Sequence, residues 1–203
     1  MKINSDFELI LKLTILGDTG VGKTNFIFQF TEGKFTPMHI STIGFDSKFK
    51  IIKLPKSKKN IKLLIYDTAG QERYMALTKN LFHKVQGIIL MYDLTNRSTF
   101  DNLRQWINLV TQELKNKTII LVGNKLDLAE KKRIVSEEEG EKIAKENNIL
   151  FFEGSACTGE NVEKIFETIA EIIYTRLIDD KNDNLDNNIG LNKNNEPKKK
   201  ICC

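Results

Sequence analysis

Gly17-Asp18-Thr19-Gly20-Val21-Gly22-Lys23-Thr24 follows directly on the apolar run 9–16. Gly, four residues, Gly, Lys and Thr between a strand and a helix is the spacing of a phosphate-binding loop. The glycines permit positive φ and bring backbone N–H groups close to an anion. A helix opening at Lys23 presents its N-terminus to the same charge. This assigns Asp18, Thr19, Gly20, Val21, Gly22, Lys23, Thr24 and Asn25 to the phosphates. Lys23 reaches the β- and γ-phosphates, and the Thr24 hydroxyl is placed for Mg²⁺.

A second apolar run, 119–123, ends in Asn124-Lys125-Leu126-Asp127. A carboxylate at Asp127 can accept from N1–H and the exocyclic amine of guanine. Adenine offers an acceptor at N1 and no C2 amine, so a site built this way rejects it steeply. Asn124 can tie this loop to the phosphate loop, and the Lys125 stem can cover the base. A third stretch, Asp67-Thr68-Ala69-Gly70-Gln71, follows the run 61–66. Asp67 stands where a carboxylate would hold Mg²⁺, the Gly70 N–H can bond the γ-phosphate, and Gln71 can orient the attacking water. Thr42, in the polar stretch between, supplies a second hydroxyl. The expected metal set is therefore Thr24, Thr42 and Asp67.

With these motifs in order, the chain resembles the Ras-like small GTPases, and most closely the Rab family, over about residues 8–178. The resemblance rests on Gly17 to Thr24, Ser41-Thr42-Ile43-Gly44, Asp67 to Glu72 with Arg73-Tyr74, Tyr92-Asp93, Asn124 to Asp127 and Ser155-Ala156. It implies that Phe35 packs on guanine and that Ser155, Ala156 and Cys157 form the loop around the guanine carbonyl. Cys202-Cys203 at the end of the chain resembles a double-geranylgeranylation signal.

The fold expected from the pattern is α/β, a doubly wound phosphate-loop domain. Strand-like runs fall at 9–16, 45–54, 61–66, 87–93, 118–123 and 149–153; helical patterns fall at 23–31, 72–84, 98–115, 136–147 and 160–177. Strands alternating with helices give a mostly parallel sheet covered on both faces. The connection 55–60 is too short for a crossover, so its flanking strands form an antiparallel hairpin and one antiparallel edge strand. Ser98 and Ser136 are candidate N-caps, Ser136 with Glu139 as a capping box. Trp106 belongs to the core, and Lys131-Lys132-Arg133 to a solvated loop.

Residues 1–7 read as a flexible start, 8–178 as the domain and 179–203 as a tail. Residues 181–200 carry seven Asn and few large apolar side chains, so they are expected not to fold. The net charge of +4 is too mild for nucleic acid. No signal peptide or spanning run is evident, and Lys2 excludes N-myristoylation. Three cysteines without a secretory signal indicate a reducing compartment. Two lipid chains anchor stably where one does not, and Lys198-Lys199-Lys200 adds attraction to anionic lipid.

The resemblance implies a GTP/GDP switch on the cytoplasmic face of an intracellular membrane, cycling with the cytosol. It implies GTP and Mg²⁺ as ligand and cofactor. Its implied partners are an exchange factor, a GTPase-activating protein, a GDP-dissociation inhibitor or escort protein, and effectors. With no arginine evident in cis, turnover should be slow, on the order of 10⁻⁴ s⁻¹. The alternative is a GTP-loaded, poorly hydrolytic docking scaffold. The partner-reading positions depart from the family pattern. Ser47, Tyr66 and Leu81 replace an aromatic trio, His39 replaces a tyrosine, Phe45 a Val or Ile, and Cys157 a lysine. The hairpin connection is longer by about two residues.

Overall fold

The computed structural model describes residues 6–37, 45–68, 83–113 and 117–192. The chain order is β1 (Leu9–Leu16), α1 (Lys23–Glu32), β2 (Phe45–Lys53), β3 (Asn60–Thr68), β4 (Gly87–Asp93), α2 (Arg97–Asp101), α3 (Leu103–Glu113), β5 (Thr118–Asn124), α4 (Leu126–Lys132), α5 (Glu137–Glu146), β6 (Leu150–Glu153) and α6 (Val162–Asn192). Six strands form one sheet in the order β2-β3-β1-β4-β5-β6. All neighbours are parallel except β2 and β3, which pair antiparallel from Phe45↔Thr68 to Lys53↔Asn60.

The central strands are apolar on both sides because both sides are covered. Every residue of β4 is buried. Its alternate side chains divide between two cores: Ile89 and Met91 join Leu13, Ile15, Phe26, Phe30, Phe166 and Ile169. Ile88, Leu90 and Tyr92 join Leu16, Phe100, Trp106, Val110 and Leu121 on the other face. Phe30 of α1 stacks on Phe166 of α6, with ring centroids 4.0 Å apart. At the sheet edge, β2 has one covered face only: Ile52 is buried while Phe49 and Ile51 are exposed.

β1 lies between β3 and β4, so the connections diverge at its carboxyl end, the place where open α/β sheets bind ligands. Gly17 leaves β1 with φ +146°, and a Cβ there would stand 2.1 Å from the Met91 carbonyl oxygen. No other residue fits that approach.

Several boundaries differ from the expected ones, each for a local reason. The single helix expected over 98–115 is two, α2 and α3, separated at Asn102. Asn96, and not Ser98, caps α2; its side chain accepts from the Ser98 N–H. Ser136 does cap α5, with the reciprocal Glu139 bond in place. Lys131 and Lys132 lie in α4, a helix of 7 residues, too short for a periodic pattern to reveal. α6 continues to Asn192, through the start of the segment expected not to fold and across the 178/179 boundary. No proline falls between Val162 and Asn192 and the first glycine is Gly190, so nothing in the backbone chemistry ends the helix earlier. The expected helix 72–84 lies almost wholly outside the described residues.

Tyr92 carries a misfit of its own. Its ring is fully buried, and among the described residues its hydroxyl finds no hydrogen-bond partner. Burial pushes the phenol pKa up. Tyr92→Phe removes an unpaired polar atom at nearly constant volume. It is expected to leave stability unchanged or raise it by about 1 kcal/mol, read from the urea midpoint.

Candidate functional site: a phosphate cradle and a base pocket at the carboxyl edge of the sheet

The phosphate loop passes from β1 into α1. Gly22 is the N-cap of α1 in the left-handed region, without a side-chain cap, so the first N–H groups of the helix face the loop. Lys23 is 5% exposed. Its ammonium donates to the carbonyl oxygens of Gly17 at 2.9 Å and Asp18 at 2.8 Å. Burial lowers its pKa to about 8, against the attraction of Asp67 and then Asp18.

The sign of that shift fixes a pH effect. Between about 8 and the ordinary 10.5 the unfolded chain holds the proton that the folded one has lost, so stability rises with pH across this window. Below it, the buried charge costs on the order of 3 kcal/mol. The nucleotide-stripped protein should therefore gain stability, relative to its Lys23→Met variant, between pH 7.5 and pH 10. Urea unfolding at the two pH values checks it; parallel pH curves would contradict it.

Next to Lys23, the Thr24 hydroxyl donates to Asp67 Oδ2 at 2.7 Å. A hydroxyl and a carboxylate, both hard oxygen donors, meet beside the phosphate loop. That donor set fits Mg²⁺, which takes one or two carboxylates together with phosphate oxygens and water. Thr42, Gly70 and Gln71 lie outside the described residues, as do His39 and Leu81.

The base side is built from the ends of β5 and β6. Asn124, 1% exposed, donates through Nδ2 to the Val21 carbonyl at 2.7 Å and accepts at Oδ1 from the Ala156 N–H at 3.1 Å. One side chain thus ties the phosphate loop to the 155–157 loop. Gly22 permits this: a Cβ there would stand 2.5 Å from Asn124 Nδ2. Ser155 Oγ donates to Asp127 Oδ1 at 2.5 Å and accepts from the N–H groups of Cys157 and Thr158, each at 3.1 Å. Lys125 adopts φ 71°, and its ammonium pairs with Asp93 at 2.6 Å. Asp93 also accepts twice from Thr95, so the Lys125 stem is held at its far end.

Other site residues turn elsewhere. Asn25 exchanges two hydrogen bonds with the backbone of Thr36, which fixes the segment carrying the exposed Phe35. Thr19 and Cys157 are exposed, and Val21 is fully buried. The Asp18 carboxylate points away from the cradle, accepting from Asn102 and Trp106. Asp93, Asn102 and Trp106 carry site geometry that the motif spacing does not reveal. Asp93 could be found once the β4–β5 register is known, since it pairs with Asn124.

A family model described as Ras family matches residues 12–175. The Ras-related protein RAB1BV of Beta vulgaris is 44% identical over 179 residues, covering 88% of this chain and 82% of the relative. The GTP-binding protein ypt2 of Schizosaccharomyces pombe is 42% identical over 200 residues, covering 97% and 98%. The Ras-related protein SEC4 of Candida albicans is 39% identical over 203 residues, covering 97% and 95%. The chain belongs to the Ras family and is a Rab-like small GTPase.

Proposed function

We propose that this chain works as a GTP/GDP switch whose nucleotide lies along the carboxyl edge of β1, β4, β5 and β6. Rab-like GTPases hydrolyse GTP and serve membrane trafficking, and this chain is one of them. The observation that carries the residue-level reading is the Asn124 bridge. It joins Val21 of the phosphate loop to Ala156 of the base loop, so phosphate and base recognition form one rigid unit.

In this reading Lys23 and the loop N–H groups hold the phosphates, Asp127 accepts from guanine, and Lys125 and Phe35 cover its faces. Ras-like GTPases use Mg²⁺ with the nucleotide; here Thr24, Asp67 and Thr42 would hold it. When bound, it neutralises phosphate charge. Gln71 orients the water, and Gly70 and Thr42 sense the γ-phosphate, so that hydrolysis releases both flanking segments. Catalysis is positioning plus charge stabilisation. An activating partner supplies what the chain lacks, and an exchange factor, an escort or dissociation inhibitor, and effectors complete the cycle.

No helix among the described residues is long and apolar enough to cross a membrane. Lipid on Cys202 and Cys203, geranylgeranyl by the family resemblance, would hold the domain at an intracellular membrane. The poorly hydrolytic scaffold is not favoured by the relatives. Single-turnover GTP hydrolysis, with and without a membrane extract as the source of activator, tests the switch. Slow hydrolysis strongly accelerated by the extract is expected. Bound GTP that persists in both conditions would leave a docking scaffold.

A further inference from the structure

Asp18 does something that neither the loop motif nor the family match explains. Its backbone carbonyl is one of the two oxygens that hold the Lys23 ammonium. Its carboxylate reaches across to the helical layer over the other side of the cradle. Oδ2 accepts from Asn102 Nδ2 at 2.7 Å, and Oδ1 accepts from Trp106 Nε1 at 2.8 Å. Both carboxylate oxygens are thus engaged by donors from one segment. That segment is shaped for the task. The break between α2 and α3 falls at Asn102, which caps the end of α2, and Trp106 lies one turn further on, 6% exposed within the second core. A buried indole N–H needs an acceptor, and Asp18 supplies it.

We propose that Asp18, Asn102 and Trp106 form a clasp that sets how long the nucleotide stays bound. Asp18 is a positioning residue: it acts through the loop backbone and through Lys23. Two consequences follow from the charge. Held by two neutral donors, the carboxylate is turned away from the position of the phosphates. Released, it would be free to swing toward them and would compete for Lys23, whose ammonium already feels its charge. The clasp therefore fixes the Lys23 carbonyls and keeps a negative charge out of an anion site. It also makes the chain's only tryptophan a neighbour of the phosphate loop, so indole emission should report the state of that loop.

An asparagine at 18 separates geometry from charge. Its carbonyl can accept from Trp106, and its amide can donate to Asn102 once that side chain turns its own amide over. Asp18→Asn should then rebuild the clasp, whereas Asp18→Ala cannot. Asn102→Ala removes one donor at a half-buried position and leaves the core intact.

The inference rests on the phosphate-loop reading, so the experiment includes a control for it. The full-length protein is loaded with methylanthraniloyl-GDP, and its release is followed during a chase with excess GDP. Asp18→Ala is expected to release the probe about tenfold faster or more, and Asn102→Ala several-fold faster, the loss of hydrogen bonds to a charged group. Asp18→Asn should recover most of the loss. With unlabelled GDP, stripping the nucleotide should shift Trp106 emission in the wild type and not in Asp18→Ala. If Asp18→Ala and Asn102→Ala lower the melting temperature yet release the probe within twofold of wild type, the contacts are merely structural and the proposal is overturned. If Lys23→Ala retains the probe as well as wild type, the phosphate-loop reading itself has failed.

Discussion

Gln71→Leu is expected to abolish hydrolysis while leaving GTP binding intact. Gln71 follows Asp67 by four residues, just past the carboxyl end of β3. Asp67 is fixed there by the Thr24 bond, so the carboxyl end of β3 lies beside the cradle. An amide at this point can accept from and donate to water; leucine can do neither. The roles assigned to Lys23, Thr24, Asn124 and Asp127 do not call for an amide at position 71, so affinity is expected to be unchanged. A partner raises hydrolysis in such switches by about 10⁵, and the variant should forfeit most of that gain. Single-turnover rates with and without an activating partner measure it. Equal rates for wild type and variant would remove Gln71 from the mechanism.

The second large effect concerns the base. Asp127 has its Oδ1 bound to the Ser155 hydroxyl, a bond that also sets the orientation of an amide at this position. In Asp127→Asn the carbonyl oxygen keeps the Ser155 proton, and the amide NH₂ turns to the ligand. Guanine then meets donor against donor. Xanthine, with a 2-keto oxygen, meets a donor it can use. GTP affinity should fall by on the order of 10⁴-fold, and xanthosine triphosphate should bind better than GTP. Competition against a fluorescent guanine nucleotide gives both constants. If ATP competes with GTP at similar concentration in the wild type, the base assignment is wrong.

How far the sequence discloses this molecule varies with the range of the interaction. β1 and β4 run over 9–16 and 87–93, the bounds their apolar runs indicate, because burial on both faces leaves a sharp edge where polarity returns. The antiparallel β2–β3 pair follows from a connection too short to cross over. The Ser136–Glu139 box is local and equally legible. Asn124 bonds Val21 because the loops after β1 and β5, one strand apart in the sheet, both open at its carboxyl edge.

What stays hidden depends on which elements become neighbours. Asp18 with Trp106, 88 residues apart, reads as a loop acid and a core aromatic until α3 is laid against the loop. Asp93 with Lys125 needs the β4–β5 register. Glu171 looks like a surface helix acid, yet it is 7% exposed and accepts the N–H groups of Lys56 and Ser57 in the hairpin connection. The hairpin connection is thereby tied to α6. On the sheet face beside it, Ser47 is exposed and Tyr66 half-buried, with Phe49 and Ile51 exposed along β2. Phe49 and Ile51, and not Ser47, give that face its exposed apolar character.

The central claim is that one guanine nucleotide occupies the cradle built by Lys23, Asn124 and Asp127, and the most direct measurement is the nucleotide carried by the purified protein. The full-length chain is denatured after gel filtration in Mg²⁺-containing buffer, and the released nucleotides are separated by ion-exchange chromatography. About one guanine nucleotide per chain is expected, as GDP or GTP, with Lys23→Ala carrying far less. Purified, folded wild type that carries no nucleotide and takes up none from added GTP, or that carries adenine nucleotide in its place, would contradict the account.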